Sequence, residues 1–417
     1  MMWRRAAAVS LVTAPILLAV ATAVDPALGD DQGYGVYRQH PAATQWHSLL
    51  LHWAWVLFVP GLLGLLAPIR RRGAVLARIG WVAVVLGLAT FAALMAFDFF
   101  LLALEQTLPD AQVAAVETRF QEQLPTVAGW QWPGLVGWAL SLLLVPIAAA
   151  RARVINWWTV AAALVGTALY FAFAISPVPV NLLGPVVLVG AYAAAARQLL
   201  RPRPAAAEPD SFGAFRRRAG FACLYAAPVV FGAGLATAPD GDYVAQPVQT
   251  QVSALLLHLG WLLFVPAMLV VASRGRRFTQ VAAGITVVAL LNFSALMVGD
   301  TADLSARQVL GEGPADRVAD ALGGLSFFTF GWALPGMVLS LLGLMAVPIG
   351  AAVDRLTRWW VPVLAVAGVA MFLVVPLGPA GVTGPLLLLA AFGLLGRDLR
   401  RPRDTADEPV PAVAAAA

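Results

Sequence analysis

The sequence predicts an all-α, polytopic transmembrane helical bundle of about 12 spans, arranged as two parallel six-helix repeats. Three observations lead there. The 417-residue chain is 60% hydrophobic and only 12% charged, with a mean hydropathy of +0.81, whereas a soluble domain carries about 25% charge. Its apolar stretches repeatedly reach the roughly 20 residues needed to cross a bilayer core of about 30 Å. And the chain says nearly the same thing twice.

The repetition runs through the whole length. Leu49-Leu50-Leu51-His52 followed by Leu57-Phe58-Val59-Pro60 returns as Leu255-Leu256-Leu257-His258 followed by Leu263-Phe264-Val265-Pro266. Phe91, Ala93-Leu94-Met95 and Asp98 return as Phe293, Ala295-Leu296-Met297 and Asp300. Gly129-Trp130, Pro133-Gly134, Val145-Pro146-Ile147 and Trp157-Trp158 return as Gly331-Trp332, Pro335-Gly336, Val347-Pro348-Ile349 and Trp359-Trp360.

Spans are expected near 6–24, 47–68, 79–104, 129–150, 157–175 and 181–199, then near 218–237, 252–273, 280–300, 325–349, 358–376 and 381–397. Helix is the only element that fits, because isolated strands leave backbone groups unsatisfied in lipid and no alternating barrel pattern is present. The first span could pass for a signal peptide, with Arg4-Arg5 ahead of an apolar run. Its counterpart after Arg216-Arg217-Arg218 opens the second half, where nothing can be cleaved as a signal, and this favours retention. The domains expected are a first repeat over 1–200, a linker over 201–217, a second repeat over 218–400 and a disordered tail over 401–417.

All 27 basic residues are Arg. Only Arg38, Arg119, Arg307 and Arg317 fall on one side of the expected bundle, and the rest cluster on the other. The positive-inside rule makes the Arg-rich side cytoplasmic, with both termini there. This also explains the formal charge of +5 without nucleic acid, so the partner expected is the lipid bilayer. An even number of spans per half makes the repeats parallel, related by an axis along the membrane normal. Cys223 is the single cysteine, which excludes an intrachain disulfide and any cysteine-based metal site.

The candidate intramembrane polar pairs are His52 with Asp98 and His258 with Asp300. Helical rise places His52 and Asp98 each about 8–9 Å below the outer end of the apolar region, so antiparallel neighbours can bring them together. Ionisable groups in lipid are functional candidates by default, and a His–carboxylate pair can cycle a proton near neutral pH. The same facts fit a hydrogen bond that locks two helices. A third reading uses His52 and His258 as axial haem ligands. The expectation is that His52 touches Asp98 and that this pair is better buried than His258 with Asp300.

Other residues carry plainer expectations. His40 and His47 read as surface residues. Trp130, Trp132, Trp332, Trp157-Trp158 and Trp359-Trp360 read as interfacial anchors. Gly184-Pro185 and Gly384-Pro385 open span six. The loop 105–128 places Val113, Val116, Phe120 and Leu124 near helical spacing, which fits either a short amphipathic helix at the outer interface or a solvated cap. Gln32-Gly33-Tyr34-Gly35 lacks the lead residues and pore helix of a potassium filter. No G-x-S-x-G, Walker loop, H-E-x-x-H or Cys pair is present, so no catalytic, cofactor or metal set is expected.

The pattern Leu-Leu-His-x-x-Trp-x-Leu-Phe-Val-Pro, the turn Arg70-Arg71-Arg72-Gly73, then Ala-Leu-Met-x-x-Asp resembles uncharacterised multi-pass membrane proteins of high-GC actinobacteria. The resemblance spans most of each half and implies a bacterial inner-membrane location. The six-plus-six plan is also similar to the major facilitator transporters. Residues 67–73 and 273–277 depart from that family's Gly-x-x-x-Asp-Arg-x-Gly-Arg loop. The role expected is solute or proton-linked transport. The alternative is a non-transporting scaffold or accessory subunit, recognisable by a closed interface between the halves rather than a polar cavity reaching mid-membrane.

Overall fold

Apolar sequence and the lack of backbone partners in lipid dictate helices, and the computed structural model has helices joined by turns and no strand among the described residues, 2–28, 33–202, 209–239, 242–375 and 379–401. Residues 203–208 of the expected linker and 402–417 of the expected tail lie outside them. The helices are α1 (Met2–Ala23), α2 (Pro41–Leu66), α3 (Ala74–Thr107), α4 (Asp110–Glu122), α5 (Leu124–Arg151), α6 (Trp157–Phe173) and α7 (Val180–Leu200). They continue as α8 (Ser211–Thr237), α9 (Pro247–Ala272), α10 (Arg277–Leu310), α11 (Glu312–Gly324), α12 (Ser326–Val353), α13 (Val361–Val374) and α14 (Ala380–Arg400).

Ten of these helices are long and apolar enough to cross a membrane, against the twelve expected; α6 and α13 are apolar but shorter. The chain is therefore an integral membrane protein by the length and composition of its helices. Three pairs of helices at matching places in the sequence have equal lengths: α2 and α9 are 26 residues, α3 and α10 are 34, and α5 and α12 are 28. Arg153 and Arg355 adopt the same left-handed conformation just beyond α5 and α12. There the amides of Val154 and Leu356 reach back to Ala149 and Ala351, closing the helix ends.

The long helices are not uniform. α3 carries a π-helical segment at Ala83–Leu88, α5 one at Val127–Gln131 and α12 one at Thr329–Ala333. A π turn rotates everything beyond it on the helix, and such insertions recur at functional sites. At the first of them the backbones of α3 and α5 nearly touch. A Cβ on Gly87 would lie 2.2 Å from the Cα of Gly137, so neither position accepts a side chain without moving the helices.

Two cores result. The larger fills the body of the bundle, from Leu11 and Trp55 to Trp261 and Leu395. A second lies towards the end away from the Arg clusters and mixes residues of both halves of the chain, among them Phe99, Val116, Trp130, Val318 and Trp332. It exists because α4 and α11 cross over: α4 packs on the Val298–Leu310 part of α10, and α11 packs on the Ala96–Thr107 part of α3. Val113, Val116 and Phe120 are buried as the amphipathic pattern of α4 requires, while Leu124 is 74% exposed. The loop helix is thus neither a free interfacial helix nor a solvated cap; it clasps the opposite half.

Candidate functional site

His52 stands near the middle of α2, where a polar side chain must find partners within the protein. Its ring is fully buried. Nδ1 lies 3.1 Å from the carbonyl oxygen of Ala92, and Nε2 lies 2.7 Å from Oδ1 of Asn292 in α10. The Asn292 amide is held in turn, since Nδ2 donates to the Trp332 carbonyl at 2.9 Å. The Trp332 indole N–H donates to the Asn292 carbonyl at 3.1 Å. Trp332 also stacks on the imidazole, with centroids 3.5 Å apart and planes 18° from parallel.

His258 repeats the arrangement with the halves exchanged. Nδ1 lies 3.0 Å from the Ser294 carbonyl oxygen, Nε2 lies 2.9 Å from the Thr90 hydroxyl, and Trp130 packs on the ring at 4.3 Å, tilted by 42°. The Thr90 hydroxyl also lies 2.6 Å from the Leu86 carbonyl, within its own helix. Each histidine is therefore anchored to the backbone of its own half and capped by a side chain and an indole of the other. Trp53 adds a further crossing bond, donating to the Gly331 carbonyl at 3.2 Å.

The chemistry of the His52 site is constrained by its neighbours. The Ala92 carbonyl can only accept, and the Asn292 oxygen is turned toward the ring by the bond its amide nitrogen makes to Trp332. A neutral ring donates to one of these oxygens, and only a ring protonated at both nitrogens donates to both. Among the described residues no carboxylate forms an ion pair with His52 or His258; the histidine that meets one is His47.

Both expected pairs need correction. Neither His52 with Asp98 nor His258 with Asp300 is joined by a hydrogen bond or an ion pair. The placement along the helix differs as well: His52 meets the carbonyl of Ala92, six residues before Asp98 and so about 9 Å from it along α3. Five helical residues separate His47 from His52, a turn of about 140°, so they face different neighbours. Asp98 lies instead within Coulombic reach of His47 and Asp25. It is half-buried, while Asp300 is exposed. The expected order of burial therefore holds, although the contacts do not.

His47 is likewise not a surface residue. It is buried, with Nδ1 2.9 Å from the Ala21 carbonyl oxygen and Nε2 3.7 Å from Asp25. Burial, followed by the nearby charges of Asp98 and Asp25, raises the pKa of the adjacent Tyr37 phenol. His40 is exposed, as expected. Trp130 and Trp332 are not interfacial anchors, because both are fully buried. Trp132, Trp157, Trp158 and Trp359 are exposed in the manner of an aromatic belt. Asn292 was missed altogether, though the signal was present: one amide in the apolar run 287–293, at the place matching Thr90.

Toward the Arg-rich end, the parts of α2 and α9 from Pro60 and Pro266 onward line a cavity of about 610 Å³. Corresponding residues of the two halves line it, Pro60 and Pro266, Leu63 and Leu269, Ala67 and Ser273. His52 lies eight residues further along α2, about 12 Å away, so the cavity ends well short of the histidines. A smaller cavity of about 320 Å³ lies at the same end between Arg274, Arg355 and Asp398.

Among the described residues no group of three metal-binding side chains occurs. No protein-family model, curated protein or solved structure matches the chain.

Proposed function

We propose that this is a bacterial plasma-membrane protein of two parallel six-span repeats with its Arg-rich end in the cytoplasm. Its halves stay locked at the outer end, and it acts as a membrane-embedded binding scaffold. One observation carries the reading: the crossed clusters of His52 with Asn292 and Trp332, and of His258 with Thr90 and Trp130, backed by α4 and α11 on the opposite halves. Opening the outer end would break both clusters and expose the second core, to which each crossing element contributes buried aromatic or aliphatic side chains. The short helices α6 and α13 would serve as the remaining two spans, since 17 and 14 residues reach about 21–26 Å.

The position of the 610 Å³ cavity between the halves favours a second reading, that of a solute transporter, because transport sites lie at repeat interfaces. That reading requires the outer end to open. Labelling with a membrane-impermeant maleimide separates the two in a Cys223→Ser background. In intact cells the exposed Leu124→Cys should label from outside, whereas Ser305→Cys, fully buried against Gln123 at 2.7 Å, should not. Labelling of Ser305→Cys at the rate of Leu124→Cys would replace the scaffold with the transporter.

A further inference from the structure

We infer that the cavity at the Arg-rich end is a binding site for an anionic amphiphile, a phosphate-bearing head group with a hydrocarbon tail. Two features make it a site. The first is its two-part wall. Pro60, Leu63, Trp81, Pro266, Leu269 and Val287 form an apolar floor, and Arg4, Arg216, Arg217 and Arg274 form the rim, with no carboxylate lining the space. The second is the state of two of those arginines.

Most arginines at this end need only topology to explain them. Arg70, Arg71, Arg72 and Arg78 are exposed, and Arg217, which is also exposed, pairs with Asp210 at 3.6 Å. Arg4 and Arg216 differ. Both are pulled into partial burial, and the Nε of each is buried without a hydrogen-bond partner. Neither forms an ion pair with a carboxylate among the described residues. Arg4 reaches the Leu199 and Arg201 carbonyls through Nη2, and Arg216 reaches the Ala67 carbonyl at 3.3 Å. Carbonyl contacts position a guanidinium without neutralising it, and Asp210, which lies within Coulombic reach of Arg216, is already shared with Arg70 and Arg217. A buried donor left unmet is unfavourable, and Arg is the side chain suited to a planar, bidentate grip on phosphate.

The floor selects the rest of the ligand. A free hydrophilic anion would leave it unfilled, whereas an acyl or prenyl chain would cover it. Trp3 closes one side by packing its ring edge on Gly284 in the other half, where a Cβ would lie 3.2 Å from the indole. Bound ligand would therefore touch both halves on the side opposite the crossed histidines. The inference rests on the locked-scaffold reading for which face of the membrane the cavity serves, but not for the binding itself.

The test is native mass spectrometry of the purified, delipidated full chain in detergent. The probes are dioleoylphosphatidylglycerol, dioleoylphosphatidylcholine and inorganic phosphate. The expected result is one equivalent of phosphatidylglycerol held about ten-fold more tightly than phosphatidylcholine, weakened about five-fold or more by Arg216→Ala and by Arg4→Ala. The exposed control Arg71→Ala should leave it unchanged. Competition by millimolar phosphate would confirm the anion grip and indicate that the head group, free or lipid-borne, supplies most of the affinity. Leu63→Trp fills the floor while keeping every arginine, and it should weaken the lipid without altering phosphate competition. It also serves if Arg216→Ala does not fold. Equal affinity for the two lipids, or an equal loss in Arg71→Ala, would overturn the inference. Failed lipid binding leaves the Ser305→Cys labelling result untouched, and labelling at that position leaves the lipid result untouched.

Discussion

The imidazole Nε2 of His52 and the side-chain oxygen of Asn292, 240 residues apart in the chain, are 2.7 Å apart. This bond joins the two halves between fully buried side chains, and its partners are themselves tied to Ala92 and Trp332. Interhelical polar contacts in membranes are worth less than their burial suggests, averaging about 0.6 kcal/mol with a ceiling near 1.7. A double-mutant cycle of His52→Ala and Asn292→Ala, followed by thermal unfolding in detergent, should therefore give a coupling of about 0.5–2 kcal/mol. A coupling indistinguishable from zero would mean that the contact does not hold the halves.

The two stacked indoles are not equivalent. Trp332 lies nearly parallel to His52 at 3.5 Å, while Trp130 is tilted over His258 at 4.3 Å. Trp332 also holds Asn292 by two hydrogen bonds, whereas the Trp130 indole nitrogen has no partner. Trp332→Leu should therefore be more destabilising than Trp130→Leu, by about 1–2 kcal/mol, reflecting the ring contact and the stranded acceptor. Equal loss of stability in the two variants would remove the asymmetry from the account.

Much of this was legible in the chain, and the limits are physical. Apolar length gave the helical membrane class, and the paired motifs marked His52 and His258 as matched positions. Helical rise put Asp98 level with His52, whereas His52 meets Ala92 and Asp98 lies near His47. What depth cannot supply is rotation, and the π-helical segments at Val127–Gln131 and Thr329–Ala333 shift rotation on the helices that carry Trp130 and Trp332. Those indoles consequently turn from the membrane edge into the bundle. The crossing of α4 and α11 onto opposite halves left no local mark either, because an amphipathic face buries equally well against either partner. Asn292 and Thr90 look unrelated by residue type, and only their matched placement reveals a shared task.

Glu105 ties the chain before α2 to the end of α3. It is buried and accepts the backbone N–H of Arg38 at 2.9 Å through Oε2. The Arg38 guanidinium in turn donates to the Glu105 carbonyl at 2.9 Å. Glu105→Gln keeps an acceptor for that amide, while Glu105→Leu strands it. Leu should therefore be the worse substitution, by about 1–3 kcal/mol. Unfolding midpoints that do not separate the two variants would show that the Arg38 amide finds another partner.

The last prediction concerns a feature found only in the first half. His47 Nδ1 faces the Ala21 carbonyl at 2.9 Å. Ser253, which follows the repeat register of His52 and His258, instead bonds the Gly234 carbonyl at 2.7 Å. His47 also stands 3.7 Å from Asp25 and within Coulombic reach of Asp98, which in turn feels Asp25 as a like charge. His47→Ser, which imitates the second half, should lose about 1–3 kcal/mol, against a change within about 0.5 kcal/mol for His40→Ser at the surface. The loss has two sources, the abandoned Ala21 carbonyl and two carboxylates left without their base. Asp98→Asn removes one of those charges, so it should recover part of the stability lost in His47→Ser while doing less in the parent chain. Strict additivity of the two substitutions, measured by unfolding the four proteins side by side, would mean that Asp98 does not answer to His47.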